Sequence, residues 1–143
     1  MNKYLILGIV IVLIVGGAIA YSKIFGRGKG CPKTGVVREI VITAKKNEWR
    51  FVPEEISVEC GDTVSATVVN EDDYDHGIGI QALGVNERMP ALGTINLTFT
   101  VMRTGDFPFF CSVPCGEGVV EGKKRSHFDM VGKIHVQSTF TTE

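Results

Sequence analysis

Ile95-Asn96-Leu97-Thr98-Phe99-Thr100-Val101 carries an apolar side chain at every second position with a polar one between, the period of a strand that buries one face. Val64-Ser65-Ala66-Thr67-Val68 and Ile56-Ser57-Val58 repeat the pattern. Turn signals separate these runs: Gly61-Asp62, the acidic stretch Glu71 to Asp75, Gly93, Gly105-Asp106, and Gly116 to Gly122. Short strands punctuated in this way predict an all-β antiparallel sandwich or barrel. The last run, Met130 to Val136, places Met130, Gly132, Ile134 and Val136 on one face, so Lys133 and His135 share the other. A face that sends lysine to solvent sends His135 there too, which leaves His76 and His127 as candidate interior histidines.

The composition sets bounds on function. The chain has 143 residues, 44% hydrophobic and 22% charged, enough for one domain and a short appendage. Fifteen Lys and Arg against sixteen Asp and Glu leave a net charge of -1, which supplies no field for nucleic acid. There is no Gly-x-Ser-x-Gly, phosphate-binding loop or dinucleotide fingerprint, so hydrolase and nucleotide-binding readings have no support.

The amino-terminal end differs in kind. Tyr4 to Tyr21, YLILGIVIVLIVGGAIAY, has no charge, and its eighteen residues span about 27 Å as a helix, close to the thickness of a bilayer core. Residues 1–21 are therefore read as one transmembrane helix. The competing reading is a cleaved signal, with Ala18-Ile19-Ala20 as its small-x-small site. Residues 22–35, with four glycines and four basic residues, read as a flexible linker, and 36–143 as the folded domain. Lys23, Arg27, Lys29 and Lys33 after the helix would by charge bias hold the domain in the cytoplasm. Cysteine usage and the metal argument point to the extracytoplasmic side of the cell membrane. There, a Cys31–Cys60 disulfide would pin the linker to the domain, although four cysteines allow three pairings and spacing alone does not choose among them.

The chemistry lies in FFCSVPCGEGVVEGKKRSHFDMVGKIHV, residues 109–136. Cys111, Cys115, His127 and Met130 fall between two strands, and His76 begins HGIGI after the acidic turn. Soft sulfur donors with imidazole select copper, zinc or iron–sulfur over magnesium or calcium, and zinc has no use for a thioether. The domain resembles the cupredoxins, and among them the copper A domain of cytochrome c oxidase subunit II, with the pattern Cys-x3-Cys-x3-His-x2-Met and one earlier His. Cys111 to Gly116 and His127 to Met130 carry its two halves, and WRFVPEEISVECGDTV is similar to the family's approach segment. The resemblance covers about a hundred residues, Ile40 to Val136.

By position, the resemblance implies a Greek-key sandwich holding two copper ions. Cys111 and Cys115 would bridge them, His76 and His127 would each bind one, Met130 would be an axial thioether and the Val113 carbonyl the other axial donor. It further implies an electron-transfer subunit, with a cytochrome or cupredoxin as donor and an oxidase catalytic subunit as acceptor. Two departures stand out. Eleven residues, Gly116 to Ser126, separate Cys115 from His127 where the family has three, and Val113 replaces a glutamate common between the cysteines. A threefold longer loop costs roughly 1 kcal/mol, small beside metal-binding energies on the order of 10 kcal/mol, so the insertion is expected to leave as a solvated excursion. Lys123 to Arg125 could alternatively form a docking patch. Glu71, Asp72, Asp73 and Asp75 form a solvated turn that could steer a basic partner.

Two other functions fit the residues. A mononuclear blue-copper site would use His76, one cysteine, His127 and Met130, and would leave the second thiol spare. A copper chaperone or thiol-disulfide protein would cycle Cys111 and Cys115, though its usual fold contains helices that this domain lacks.

Overall fold

The computed structural model describes residues 3–24 and 30–138, with side chains at 5, 6 and 18–24 outside the description. Parts of the expected anchor, linker and carboxyl-terminal end, namely residues 1–2, 25–29 and 139–143, lie outside the described residues. Lys3–Ile24 form one helix, α1. Apart from Lys3 its described side chains are uncharged, and they are exposed, including Val12, Leu13 and Ile14 at 70%, 68% and 65%. Among the described residues, no helix is long and apolar enough to cross a membrane. A helix is thus present where one was expected, but a bilayer crossing does not follow from its described part.

The domain is a sandwich of two sheets. In chain order the strands are β1 (Val37–Ala44), β2 (Phe51–Val52), β3 (Glu55–Glu59), β4 (Thr63–Asn70), β5 (His76–Ile80) and β6 (Val85–Met89). They continue with β7 (Thr94–Thr100), β8 (Gly105–Phe110), β9 (Glu117–Val120), β10 (Lys123–Ser126) and β11 (Val131–Gln137). One sheet has the order β2-β1-β4-β7 and the other β3-β11-β8-β5-β6, while β9 and β10 pair only with each other. The pairings β1–β4 and β3–β11 are parallel, and the others are antiparallel. The chain crosses between sheets repeatedly, as a Greek-key sandwich requires.

Alternation places the core as expected. Val64, Ala66 and Val68 on β4, Leu97 and Phe99 on β7, and Ile56 and Val58 on β3 are buried. Across the layers, the Phe51 and Phe109 rings lie 5.5 Å apart at 60°. That tilted pairing adds to area burial worth about 1.5–3 kcal/mol for each large side chain. On β11, Met130, Ile134 and Val136 turn inward, while His135 sits on the outer face against Asp106 at 2.7 Å.

Backbone contacts define the two ends of the sandwich. One end gathers the end of β3, the start of β4 and the ends of β7 and β11, joined by Cys60 N–H to Gln137 C=O and Gly61 N–H to Val101 C=O, both 2.7 Å. The entering chain is fastened here, which shortens the expected linker. Cys31 is disulfide-bonded to Cys60, its N–H donates to Met102 C=O at 3.0 Å, and Gly30 bridges to Arg103. Thr34 Oγ1 donates to Asp62 Oδ1 at 2.5 Å and Arg38 Nε to Asp62 Oδ2 at 2.7 Å. From Gly30 onward, then, the segment is part of the domain and not a free tether.

Two predictions follow from this end. The 29-residue separation closed by Cys31–Cys60 implies a loss of about 3–4 kcal/mol in a Cys31→Ala/Cys60→Ala variant, measurable by denaturant unfolding. The Arg38 and Thr34 hydrogen bonds hold the Asp62 carboxyl below its ordinary 3.8. Its contribution is therefore complete above that pH and disappears as the pH falls through the lowered value. The acid limb of stability against pH should flatten in Asp62→Asn, and an unchanged limb would show that the contact is energetically silent.

Candidate metal centre

The opposite end of the sandwich carries the sulfur residues. β8 and β11 are antiparallel, so the end of one meets the start of the other, and Cys111 N–H donates to Met130 C=O at 2.9 Å. β5 pairs with β8 through Gly79 and Phe110, which sets His76 at the same end. The segment after β8 folds back over β5, where Gly77 makes room for it. A Cβ at Gly77 would lie 2.4 Å from Ser112 Oγ and 3.0 Å from the Val113 nitrogen, so any side chain there would lift the loop.

The side chains converge. Cys111 and Cys115 are free and buried, with their sulfurs 3.6 Å apart and unbonded. Cys111 Sγ lies 3.8 Å from His76 Nδ1 and 3.1 Å from the Val113 carbonyl oxygen, and Cys115 Sγ lies 3.6 Å from Met130 Sδ. Among the described residues, the ligand atoms of His76, Cys111 and Cys115 form one group, all within 4.8 Å of one another. His127 is not part of that group. It sits on a 3-10 turn, His127–Asp129, immediately before Met130, and its Nδ1 is buried without a hydrogen-bond partner.

The long Cys115–His127 interval proves to be ordered rather than a loose excursion. β9 and β10 form a hairpin whose two-residue turn, Glu121-Gly122, has φ of 50° and 76°. Positive φ at both positions is the type I′ geometry that matches strand twist. At its base, His127 N–H donates to Gly116 C=O at 3.1 Å. The eleven intervening residues therefore return to their starting point, and His127 is the hydrogen-bonded neighbour of Gly116, the residue after Cys115. An Xaa-Gly pair between Val119-Val120 and a basic run was the signal in the sequence. Lys123, Lys124 and Arg125 lie on β10, and Lys124 pairs with Glu117 of β9 at 3.0 Å.

The acidic turn requires a correction. Asp72 is fully buried and cannot serve as a surface docking charge. Its Oδ2 is 2.7 Å from His76 Nε2, and its Oδ1 accepts the Asn47 N–H at 2.7 Å. A carboxylate accepting from Nε2–H leaves Nδ1 as the lone pair facing Cys111, so Asp72 fixes the tautomer and ring orientation of His76. Glu71 pairs with Lys45 at 2.6 Å, and Asp75 is held by Arg88 and the Ala91 N–H. Only Asp73 of the four carries its charge exposed. Asp72 could not be told from its neighbours by sequence, because four acids in five residues look alike until the turn aims one of them inward.

The electrostatics fit a site awaiting a cation. Cys111 is held down to about 4, chiefly by the hydrogen bond from Cys115 and also by His76, against the opposing effect of burial. Cys115 moves the other way, pushed up by its bond to Cys111 and by burial, so the pair shares one proton. Burial pushes His76 down, but hydrogen bonds with Cys111 and Asp72 outweigh it and raise the imidazole. Tyr74, whose ring lies 5.1 Å from that of His76, is pushed well up by burial and by the Asp72 charge, and stays a neutral phenol.

Two thiols, a thioether, an imidazole and a carbonyl make a donor set suited to copper, and the His127 Nδ1, outside that group, is buried without a partner. A β-sandwich with such a site at one end defines the class of small copper-binding β-proteins. Comparison places the chain within it: it belongs to the cupredoxin-like domain family, whose sequence profile matches residues 18–120.

No curated protein matches the chain. Among solved structures it is similar to a chain of a heme-copper terminal oxidase dimer, with 21% identity and a TM-score of 0.59, covering 94% of this chain and 97% of that one. Auracyanin A, a blue copper protein of Chloroflexus aurantiacus, aligns at 22% identity and TM-score 0.53, covering 71% and 99%. The metal-binding domain of the Cu(I)-exporting P-type ATPase of Streptococcus pneumoniae, determined with Cu(I), aligns at 18% identity and TM-score 0.55, covering 77% and 94%. At these identities the likenesses establish the fold.

Asp72→Asn should weaken copper binding roughly 10- to 100-fold, as measured by competition with a chelator. Unchanged affinity would remove Asp72 from the site.

Proposed function

We propose that this protein is a membrane-anchored cupredoxin that relays single electrons through a binuclear copper A-type centre held by His76, Cys111, Cys115, His127 and Met130, with the Val113 carbonyl as a further donor. The observation that carries this reading is the pair of unbonded, buried thiols 3.6 Å apart, with His76 beside one sulfur and Met130 beside the other. Cys111 and Cys115, with His76 and Met130, would hold the copper, which when bound would supply a one-electron couple. The chain's own part is to hold the donors still: β5, β8 and β11 fix His76, Cys111 and Met130, and the β9–β10 hairpin returns His127 to the base of the Cys115 loop. Fixed ligands change little between redox states, which keeps the barrier to electron transfer low.

The Cys31–Cys60 disulfide supports an extracytoplasmic domain. The uncharged run Tyr4 to Tyr21 supports a single-pass anchor in the cell membrane. The donor would be a cytochrome or another cupredoxin, and the acceptor an oxidase catalytic subunit.

Two other copper readings remain for experiment to separate. The likeness to auracyanin favours a mononuclear blue site. The likeness to the Cu(I)-exporter domain removes the objection that copper handling without electron transfer needs a helical fold.

Copper loading of the purified protein distinguishes the three. Two ions per chain, with a hyperfine pattern shared over two nuclei, is the expected result. One ion with a single intense blue band would establish the mononuclear site, and Cu(I) binding without a stable chromophore would establish carriage. Cys111→Ser and Cys115→Ser should each abolish the binuclear signature, while His135→Ala leaves it intact.

A further inference from the structure

The connection between β1 and β2, residues 45–50, carries two strained residues. Asn47 and Trp49 adopt φ of 56° and 46°, a region costly for a side chain as bulky as tryptophan. Each spends that geometry on the metal end of the sandwich. The turn at Asn47 aims its N–H at Asp72 Oδ1, 2.7 Å away, and Asp72 in turn holds His76. The turn at Trp49 carries the indole across to the ligand loop, where Nε1–H donates to the Cys115 carbonyl at 3.3 Å. The ring packs against Gly118 of β9, where an added Cβ would lie 2.3 Å from Trp49 Cη2. The turn is closed on itself by Lys45 N–H to Arg50 C=O and Glu48 N–H to Lys45 C=O, both 3.1 Å, so its two contacts move as one body.

We propose that residues 45–50 act as a clamp on the metal centre, and that Trp49 is a positioning residue that sets the Cys115 loop and the foot of the β9–β10 hairpin. The clamp reaches both branches of the site, His76 through Asp72 and Cys115 through its carbonyl. Lys45 and the Lys46 N–H add contacts from the same turn to Glu71, so the turn is also fastened to the acidic segment that carries Asp72. The metal-bound consequences rest on the copper reading, whereas the clamp itself is a property of the metal-free chain.

Trp49→Phe keeps a ring against Gly118 and deletes only the N–H, whereas Trp49→Ala deletes both. In the full-length, metal-free protein, iodoacetamide labelling followed by mass spectrometry gives the ratio of Cys115 to Cys111 modification, with the disulfide-bonded Cys31 and Cys60 as unreactive internal references. Loss of one hydrogen bond should raise that ratio roughly three- to tenfold in Trp49→Phe, with a larger rise in Trp49→Ala. In copper-loaded protein, Trp49→Phe should shift the reduction potential and hyperfine pattern, which a merely structural residue would not move. Trp49 is the sole tryptophan, so wild-type fluorescence should also be quenched as copper enters. A folded Trp49→Phe with the wild-type labelling ratio overturns the clamp. A wild-type protein that holds no copper overturns the functional reading alone, since the labelling ratio still decides the clamp.

Discussion

The hydrogen bond from Cys111 N–H to Met130 C=O, 2.9 Å long, closes the β8–β11 ladder at the end where the two strands hand over to their loops. Everything at the metal end is built outward from it. Because the strands are antiparallel, the residue that leaves β8 and the residue that enters β11 are neighbours, although the chain between them runs through a second hairpin. That pairing brings the backbones of Cys111 and Met130 together, and the loop after Cys111 then sets the Cys115 thiol 3.6 Å from the Met130 thioether. The loop then needs only to close on itself, which the His127-to-Gly116 hydrogen bond does.

Burial at this end is costly without a cation. Asp72, His76, Cys111 and Cys115 are buried together and act on one another: Cys115 and His76 hold the Cys111 thiol down, Cys111 and burial push the Cys115 thiol up, and hydrogen bonds with Cys111 and Asp72 raise the His76 imidazole. Such a cluster is stabilising only when its charges are matched. Asn70 shows how firmly the surround is held: its buried amide donates to the carbonyls of Tyr74, Met89 and Pro90, which keeps the acidic turn in the form that aims Asp72 inward.

The two ends of the sandwich divide the work. The disulfide, the Asp62 latch and the incoming chain are at one end, and the donor cluster with its clamp is at the other, separated by the length of the core strands. Each end thus holds a buried carboxylate, Asp62 at one and Asp72 at the other, while the apolar core between them carries stability. The incoming chain joins the domain at the end away from the donor cluster.

The amino-acid sequence by itself determined the strands, their inward faces and the identity of the soft donors, because a period of two and the soft donor chemistry of cysteine, histidine and methionine are local properties. His135 was placed on the outer face from parity alone, and the core positions of β4 and β7 were legible in the same way. Only the tertiary structure decided which of four neighbouring acids is buried against His76, that Trp49 and Asn47 reach the site from a turn more than sixty residues before Cys115, and that the eleven residues between Cys115 and His127 form a closed hairpin. Those facts depend on backbone angles at single residues and on contacts between segments distant in the chain. No periodicity records them, because they are fixed only when the sheets close on each other.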